Sequence, residues 1–350
     1  MRAAIGHRSA ALQPAGRDGD LLLTVLARSA LALLSAAALA VHVHTPANWN
    51  PREQRAVLRA GVMHDLGGSF DGAAPLSDRS MSIALAAIAA RERAPVHVAA
   101  AGPLSVVRFD ALLDDQLGLR RVAAHVELIA QRAGLHPPSY FGTEVVARYA
   151  GLRDSHPIAD AAIDLYPTDP ITRAEAAHSF AVVLRDGWAV AATRAALRTF
   201  RLPRYSSAQR AVLSIAVAKI GMPYVWGGTT DNTADGLAHG GYDCSGFIWR
   251  VYKVSGLPWG RQIGGRTAAA QAGEIPMGSR IRMRDVAPGD LLFFGSAHLR
   301  STATEANIVH EGLALGDGWV IHSSDQGVYV QPLTSGWLHQ SFAWARRVLS

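Results

Sequence analysis

The sequence predicts an α+β domain at the C-terminal end, preceded by an all-α, repeat-like region. Three observations lead there. At 350 residues the chain is too long for one ordinary core, since domains cluster near roughly 100–150 residues. Between residues 45 and 200 the apolar positions recur at helical spacing behind capping residues. From residue 206 onward, one more helical stretch gives way to short apolar runs bounded by Gly, Pro and Asp, which read as antiparallel strands.

Composition narrows the function classes. An apolar fraction of 49% and a charged fraction of 18% exclude wholesale disorder. Of the 34 basic residues, all but Lys219 and Lys253 are Arg, and they are scattered, so no nucleic-acid-binding surface is expected. The single Cys excludes a disulfide framework and a cysteine-rich metal knuckle, and no metal or other cofactor is expected.

Residues 1–40 read as a secretory signal peptide. Arg2, Arg8, Arg17 and Arg28 precede an uncharged run from Ser29 to Val41 that carries the small-residue pattern Ala38-Leu39-Ala40. The run is too short to span a bilayer comfortably, and no Arg pair stands in the leader, which favours the general secretory route. An uncleaved anchor reaching back through Leu21–Leu26 is the competing reading, although Asp20 and Arg28 interrupt it. The expected location is therefore secreted or cell-wall associated.

Over residues 41–200 one unit recurs. Pro75-Leu76-Ser77, Pro103-Leu104-Ser105 and Pro170-Ile171-Thr172 each precede an apolar helical stretch, Met81–Ile88, Val106–Leu113 and Ala174–Leu184, with Ser or Thr at the N-cap. Thr172-Arg173-Ala174-Glu175 fits a capping box. The segments 55–61 and 145–152 read as short helices stopped by Gly. This arrangement resembles the S-layer homology repeat, whose second helix opens with a similar Thr-Arg-Ala-Glu run. The resemblance implies a module that binds anionic cell-wall polymer, with Arg79 and Arg173 at the helix starts placed for it. A plain helical spacer is the alternative.

In the C-terminal domain, Ser206 or Ser207 can cap a helix ending at Gly221. The runs 290–295, 308–315, 319–323 and 328–331 read as strands. The only Cys lies in Tyr242-Asp243-Cys244-Ser245-Gly246, at the start of a helical stretch. Unpaired amides and the positive end of the helix dipole favour a thiolate there, and the Cys amide can face a developing oxyanion. Asp243 opposes this by like-charge repulsion, so a cationic partner is expected to compensate, and His is the usual one. A small buried core residue is the ordinary fate of a free Cys; the polar neighbours weigh against it.

Two histidines follow in the strand region, His310 and His322, on either side of Leu315-Gly316-Asp317-Gly318-Trp319, a hairpin turn by composition. With a three-residue loop at 316–318, His322 pairs with Gly312, and the two histidines share one face as diagonal neighbours roughly 7 Å apart. A two-residue loop would put them on opposite faces.

Residues 206–350 resemble the NlpC/P60 cysteine peptidases of bacterial cell walls. The likeness runs in order through Pro223-Tyr224-Val225-Trp226-Gly227-Gly228, Asp243-Cys244-Ser245-Gly246-Phe247, Arg266-Thr267-Ala268-Ala269-Ala270-Gln271, Pro288-Gly289-Asp290-Leu291-Leu292-Phe293-Phe294 and the His310 strand. The resemblance implies a papain-like domain with Cys244 as nucleophile, His310 as general base and later acid, and His322 as the residue fixing the His310 tautomer. It further implies Tyr224 beside the nucleophile and Asp243 as a holder of a substrate amino group, with Ser245 next to it. The implied activity is that of an exported endopeptidase acting on peptidoglycan stem peptides, at the bond between D-glutamate and a diamino acid. An amidase or acyltransferase of the same fold, and a non-catalytic wall-binding protein, are the other readings. The sequence departs from the family in two long loops, 229–241 and 296–306, and in Glu311, which replaces an apolar residue after the base.

Overall fold

The computed structural model describes residues 49–93, 95–96, 104–156, 164–231, 240–334 and 336–349, with the Trp188 side chain left out. The signal-like segment 1–40 and most of the loop 229–241 fall outside them. The helical half contains α1 (Pro51–Arg59), α2 (Asp78–Glu92), α3 (Val106–Gln116), α4 (Arg120–Arg132), α5 (Phe141–Tyr149), α6 (Arg173–Arg185) and α7 (Gly187–Leu197).

All three expected caps form. Ser77, Ser105 and Thr172 each accept a backbone N–H three residues on, at 3.2, 3.3 and 3.2 Å. Their segments converge: Leu76 N–H donates to the Ile171 carbonyl (2.8 Å) and Ile171 N–H to that of Leu104 (3.0 Å), so the starts of α2, α3 and α6 are joined by short antiparallel bridges. Two expectations need correction. The capping box at Thr172 is only half made, because the Glu175 carboxylate turns away to His156 Nε2 (3.1 Å) and Arg153 (3.7 Å). A buried imidazole with Asp164 at 2.6 Å on its other nitrogen is the stronger partner: burial alone would lower the His156 pKa, but these two hydrogen bonds push it up to about 10. Arg173 is not a surface cation. It is 1% exposed, donating to the carbonyls of Phe70 (2.8 Å) and His64 (2.5 Å) and lying over the Phe70 ring. Arg79 is exposed.

The second half opens with a complete capping box, Ser206 with Gln209, on α8 (Ser207–Val217), and the chain turns at Gly221 with φ 81°. After the two-residue strands β1 (Thr229–Thr230) and β2 (Gly241–Tyr242) come α9 (Cys244–Ile248), a π-helical turn over Trp249–Val254, and α10 (Ala268–Gly273). Then follow β3 (Leu291–Phe294), β4 (His310–Gly316), β5 (Trp319–Ser324), β6 (Gly327–Pro332), α11 (Gly336–Ser341) and β7 (Phe342–Arg346). The five long strands form an antiparallel sheet of order β6-β5-β4-β3-β7. The loop 296–306 is tied down by Arg280, which donates to the carbonyls of Leu299 (2.8 Å) and Ser301 (2.7 Å).

The β4–β5 hairpin reaches the expected register by another route. Gly316 pairs with Trp319, leaving a two-residue turn of Asp317 (φ 49°) and Gly318 (φ 80°), the positive pair a type I′ turn requires. A register shift between Ala314 and Gly316 then absorbs one residue, so Ala314 faces Val320 and Leu313 faces Ile321. Because the bulge restores parity, His322 still lies beside Gly312, where a Cβ would come within 3.1 Å of the His322 Cβ.

Alternation sorts the sheet into two faces. Leu291, Phe293, Leu313, Leu315 and Ile321 join a core cluster that continues through α8 and α9 into the helical half. On the opposite face, Leu292, Phe294, Ala314 and Val320 pack with Leu338 of α11. The described residues belong to one compact unit, His44–Ser350. Arg148 joins its two halves: on α5 it pairs with Glu144 (2.8 Å), and it donates to the carbonyls of Gly221 (2.8 Å) and Gln326. The Phe200 and Trp319 rings meet 4.9 Å apart, and Tyr205 donates to the Leu315 carbonyl (2.7 Å).

Candidate active site

The site begins at the tip of α9. Asp243 is its N-cap, accepting from Gly246 N–H, and Cys244 is the first helical residue. The tip is pressed against the turn that carries Tyr224, since a Cβ on Gly246 would lie 1.8 Å from the Gly228 carbonyl oxygen. Asp243 also accepts from Gly227 N–H (2.9 Å) and Ser245 Oγ (2.9 Å). The cation beside Asp243 is not the histidine expected but Arg266, 3.3 Å away, which also donates to Ser245 Oγ (2.7 Å). Asp243 and Ser245 thus form a closed set with Arg266, and the side chain of Asp243 is engaged within the fold before any substrate arrives.

Cys244 is 9% exposed. The backbone amides of Glu311 and Ser245 reach the sulfur and favour its anion, but burial, followed by the carboxyls of Glu311 and Asp243, outweighs them and pushes the thiol well up. The thiolate that the helix tip alone would favour is not the resting form. Tyr224 stands alongside, its hydroxyl pushed up by burial and by the neighbouring Cys244 and Asp243.

His310 opens β4, immediately before the Glu311 amide that meets the sulfur, and pairs across the sheet with Phe294. Its ring lies 5.8 Å from both Phe294 and Trp337. His310 Nε2 and His322 Nδ1 are 2.9 Å apart, the contact expected from shared parity. Burial lowers His310 to about 4 and holds His322 well below the usual 6.5, with His310 adding to the effect on His322. Both rings are neutral at pH 7 and the Cys244 thiol is protonated; the sulfur meets the backbone amide of Glu311, while the His310 ring is held by His322 and the Phe294 side of the sheet.

One residue of the site escaped the sequence reading. The Gln331 amide nitrogen, on β6, lies 2.8 Å from His322 Nε2, completing a row across three neighbouring strands. Its signal was available: His322 pairs with Tyr329, and 331 shares the face of 329. Glu311 is fully buried with neither carboxylate oxygen partnered. A groove of about 940 Å³ runs along the histidine side, from His310, His322 and Trp337 to Asp154, His178 and Arg185 of the helical half. At that far end Asp154 is pushed up to about 6 by burial; His178 opposes the shift and Asp325 adds to it.

A cysteine at the tip of a helix packed on an antiparallel sheet, with a histidine pair on the adjoining strands, defines a papain-like α+β domain. Residues 221–347 match the NlpC/P60 family, and this stretch of the chain is an NlpC/P60 domain. Among curated proteins, it is similar to Protein P54 of Enterococcus faecium, 34% identical over 134 residues that make up 38% of this chain and 21% of that protein. It is also similar to the gamma-D-glutamyl-L-lysine dipeptidyl-peptidase of Bacillus subtilis, 31% identical over 115 residues, 33% of this chain and 32% of the relative. The chain thus spans a fifth to a third of the length of these relatives. Among solved structures, an NlpC/P60 family protein from Bacillus cereus aligns over 43% of this chain and 42% of its own, at 25% identity and a TM-score of 0.32.

Proposed function

We propose that the protein is an exported cysteine endopeptidase that cuts peptide bonds in peptidoglycan stems, at the γ-D-glutamyl bond to a diamino acid. The observation that carries this reading is the His310–His322 pair at 2.9 Å, placed one residue from the amide that meets the Cys244 sulfur. The match to a family whose relatives include a γ-D-glutamyl-L-lysine peptidase supports the substrate class. In this mechanism His310 accepts the thiol proton as Sγ attacks the carbonyl carbon, and the amides at the tip of α9 meet the oxygen that becomes negative. His310 then returns the proton to the leaving amine, and water hydrolyses the thioester by the reverse path. His322 holds the His310 ring throughout.

The helical half is proposed to hold the enzyme at the wall by binding anionic polymer near the convergence of α2, α3 and α6, where Arg79 is the exposed cation. Incubation with purified muropeptides followed by mass spectrometry tests the activity. The expected result is a new amino-terminal diamino acid with the native chain and none with Cys244→Ala; products from the variant would overturn the mechanism. Transfer to a second peptide in place of hydrolysis would favour the acyltransferase reading.

A further inference from the structure

The row His310, His322, Gln331 crosses β4, β5 and β6 on one face of the sheet, with contacts of 2.9 and 2.8 Å. Each contact needs one donor and one acceptor, and both rings are neutral, so each carries one N–H. The protons in the row are therefore linked, and only two arrangements satisfy it. In one, the orientation in which the amide stands with its nitrogen 2.8 Å from His322 Nε2, that nitrogen donates to His322 Nε2; His322 then carries its proton on Nδ1 and donates to His310 Nε2, which leaves the His310 proton on Nδ1. In the other, the Gln331 oxygen accepts from His322 Nε2–H, His322 Nδ1 accepts from His310 Nε2–H, and His310 Nδ1 keeps a free lone pair.

Only the second arrangement can take a proton from a thiol, because in the first neither ring nitrogen of His310 has a lone pair to spare. We propose that Gln331 is a positioning residue that sets the tautomer of both histidines: a half-turn of its amide, which exchanges two near-isosteric ends, presents the side-chain oxygen rather than the nitrogen to His322 Nε2–H. This rests on the reading of Cys244 as nucleophile and His310 as its base. Gln331 also lines the groove. With its oxygen turned to His322, its NH₂ is left to the groove, where a substrate carbonyl that accepts from it reinforces the productive orientation. The proton arrangement and the occupied groove are thereby coupled through one amide.

The test uses the full chain with ¹⁵N-labelled histidine. NMR of the wild-type protein reads which nitrogen of His322 carries the proton; Nε2–H is expected, and Nδ1–H overturns the proposal. Gln331→Leu removes the acceptor and is expected to lower kcat on muropeptide by about tenfold to hundredfold with KM little changed. Gln331→Glu, which can only accept in its ionised form, is expected to keep both the Nε2–H signal and most of kcat. Wild-type kcat in the Leu variant, or a Glu variant no better than Leu, would also overturn it. If the native protein cleaves no muropeptide, the proposed function fails, yet the NMR signal still decides the role of Gln331.

Discussion

Glu311 illustrates what a single buried group does to its surroundings. Its carboxyl is 0% exposed, neither oxygen has a partner, and burial, with Asp243 adding to it, holds its pKa well above 4.5. Below about pH 4.5 folded and unfolded chains both keep this proton. Above it the unfolded chain releases the proton while the folded chain retains it, so the contribution of Glu311 to stability falls as pH rises. Glu311→Met, similar in volume and without a polar end, should therefore raise stability at pH 8 by about 1–3 kcal/mol and change it less at pH 4.5. Thermal unfolding at both pH values checks this, and equal shifts would mean that Glu311 is charged and compensated. The base gives a second prediction. Burial disfavours the His310 cation and lowers its pKa to about 4, so the proposed base stays neutral well below the pH at which an exposed imidazole would charge. The acid limb of kcat/KM on a soluble muropeptide should lie near pH 4–5. A limb centred near 6.5 would indicate a solvated ring.

At the scale of elements, the tip of α9 and the Pro223–Gly228 turn act as one piece because Gly246 permits their contact. Gly246→Ala cannot be accommodated without moving either Tyr224 or Cys244, since the nearest atom is backbone oxygen. It should lower kcat more than tenfold and cost roughly 1–3 kcal/mol of stability; unchanged kinetics would show that the tip has slack. The same elements explain what could be read from the sequence. The four strands bounded by Gly, Pro or Asp were legible, as were the three caps and the parity of His310 with His322. β7 was not, because Phe342 follows directly on Ser341 of α11 with no Gly or Pro between helix and strand. The bulge before Gly316 leaves no mark in composition, and the three-residue turn expected there gave the right parity for a different reason. Arg173 misled because a residue at a helix start reads as exposed, whereas the carbonyls of His64 and Phe70 draw it inward across more than 100 residues of sequence.

At the scale of the molecule, the two halves share a core and an ionic joint, so residues 206–350 expressed alone would lack the cover that residues 49–205 provide. We expect that fragment to aggregate or unfold at lower temperature than the full chain, and calorimetry of the full chain to show one transition. Arg148→Met leaves Glu144 buried without its partner and should cost about 3–5 kcal/mol; a soluble, fully active fragment would show the halves to be independent. The joint also bears on the order in which the protein is made. Arg148 waits for the carbonyl of Gln326, 178 residues later, and β7 is the last strand to take its place, beside β3. A growing chain displays its thiol long before His310, His322 and Gln331 emerge, and the sheet is complete only when residue 346 has joined β7 to β3. An unfinished copy therefore carries the proposed nucleophile without the proposed base, and the chemistry inferred for the finished chain would be out of its reach.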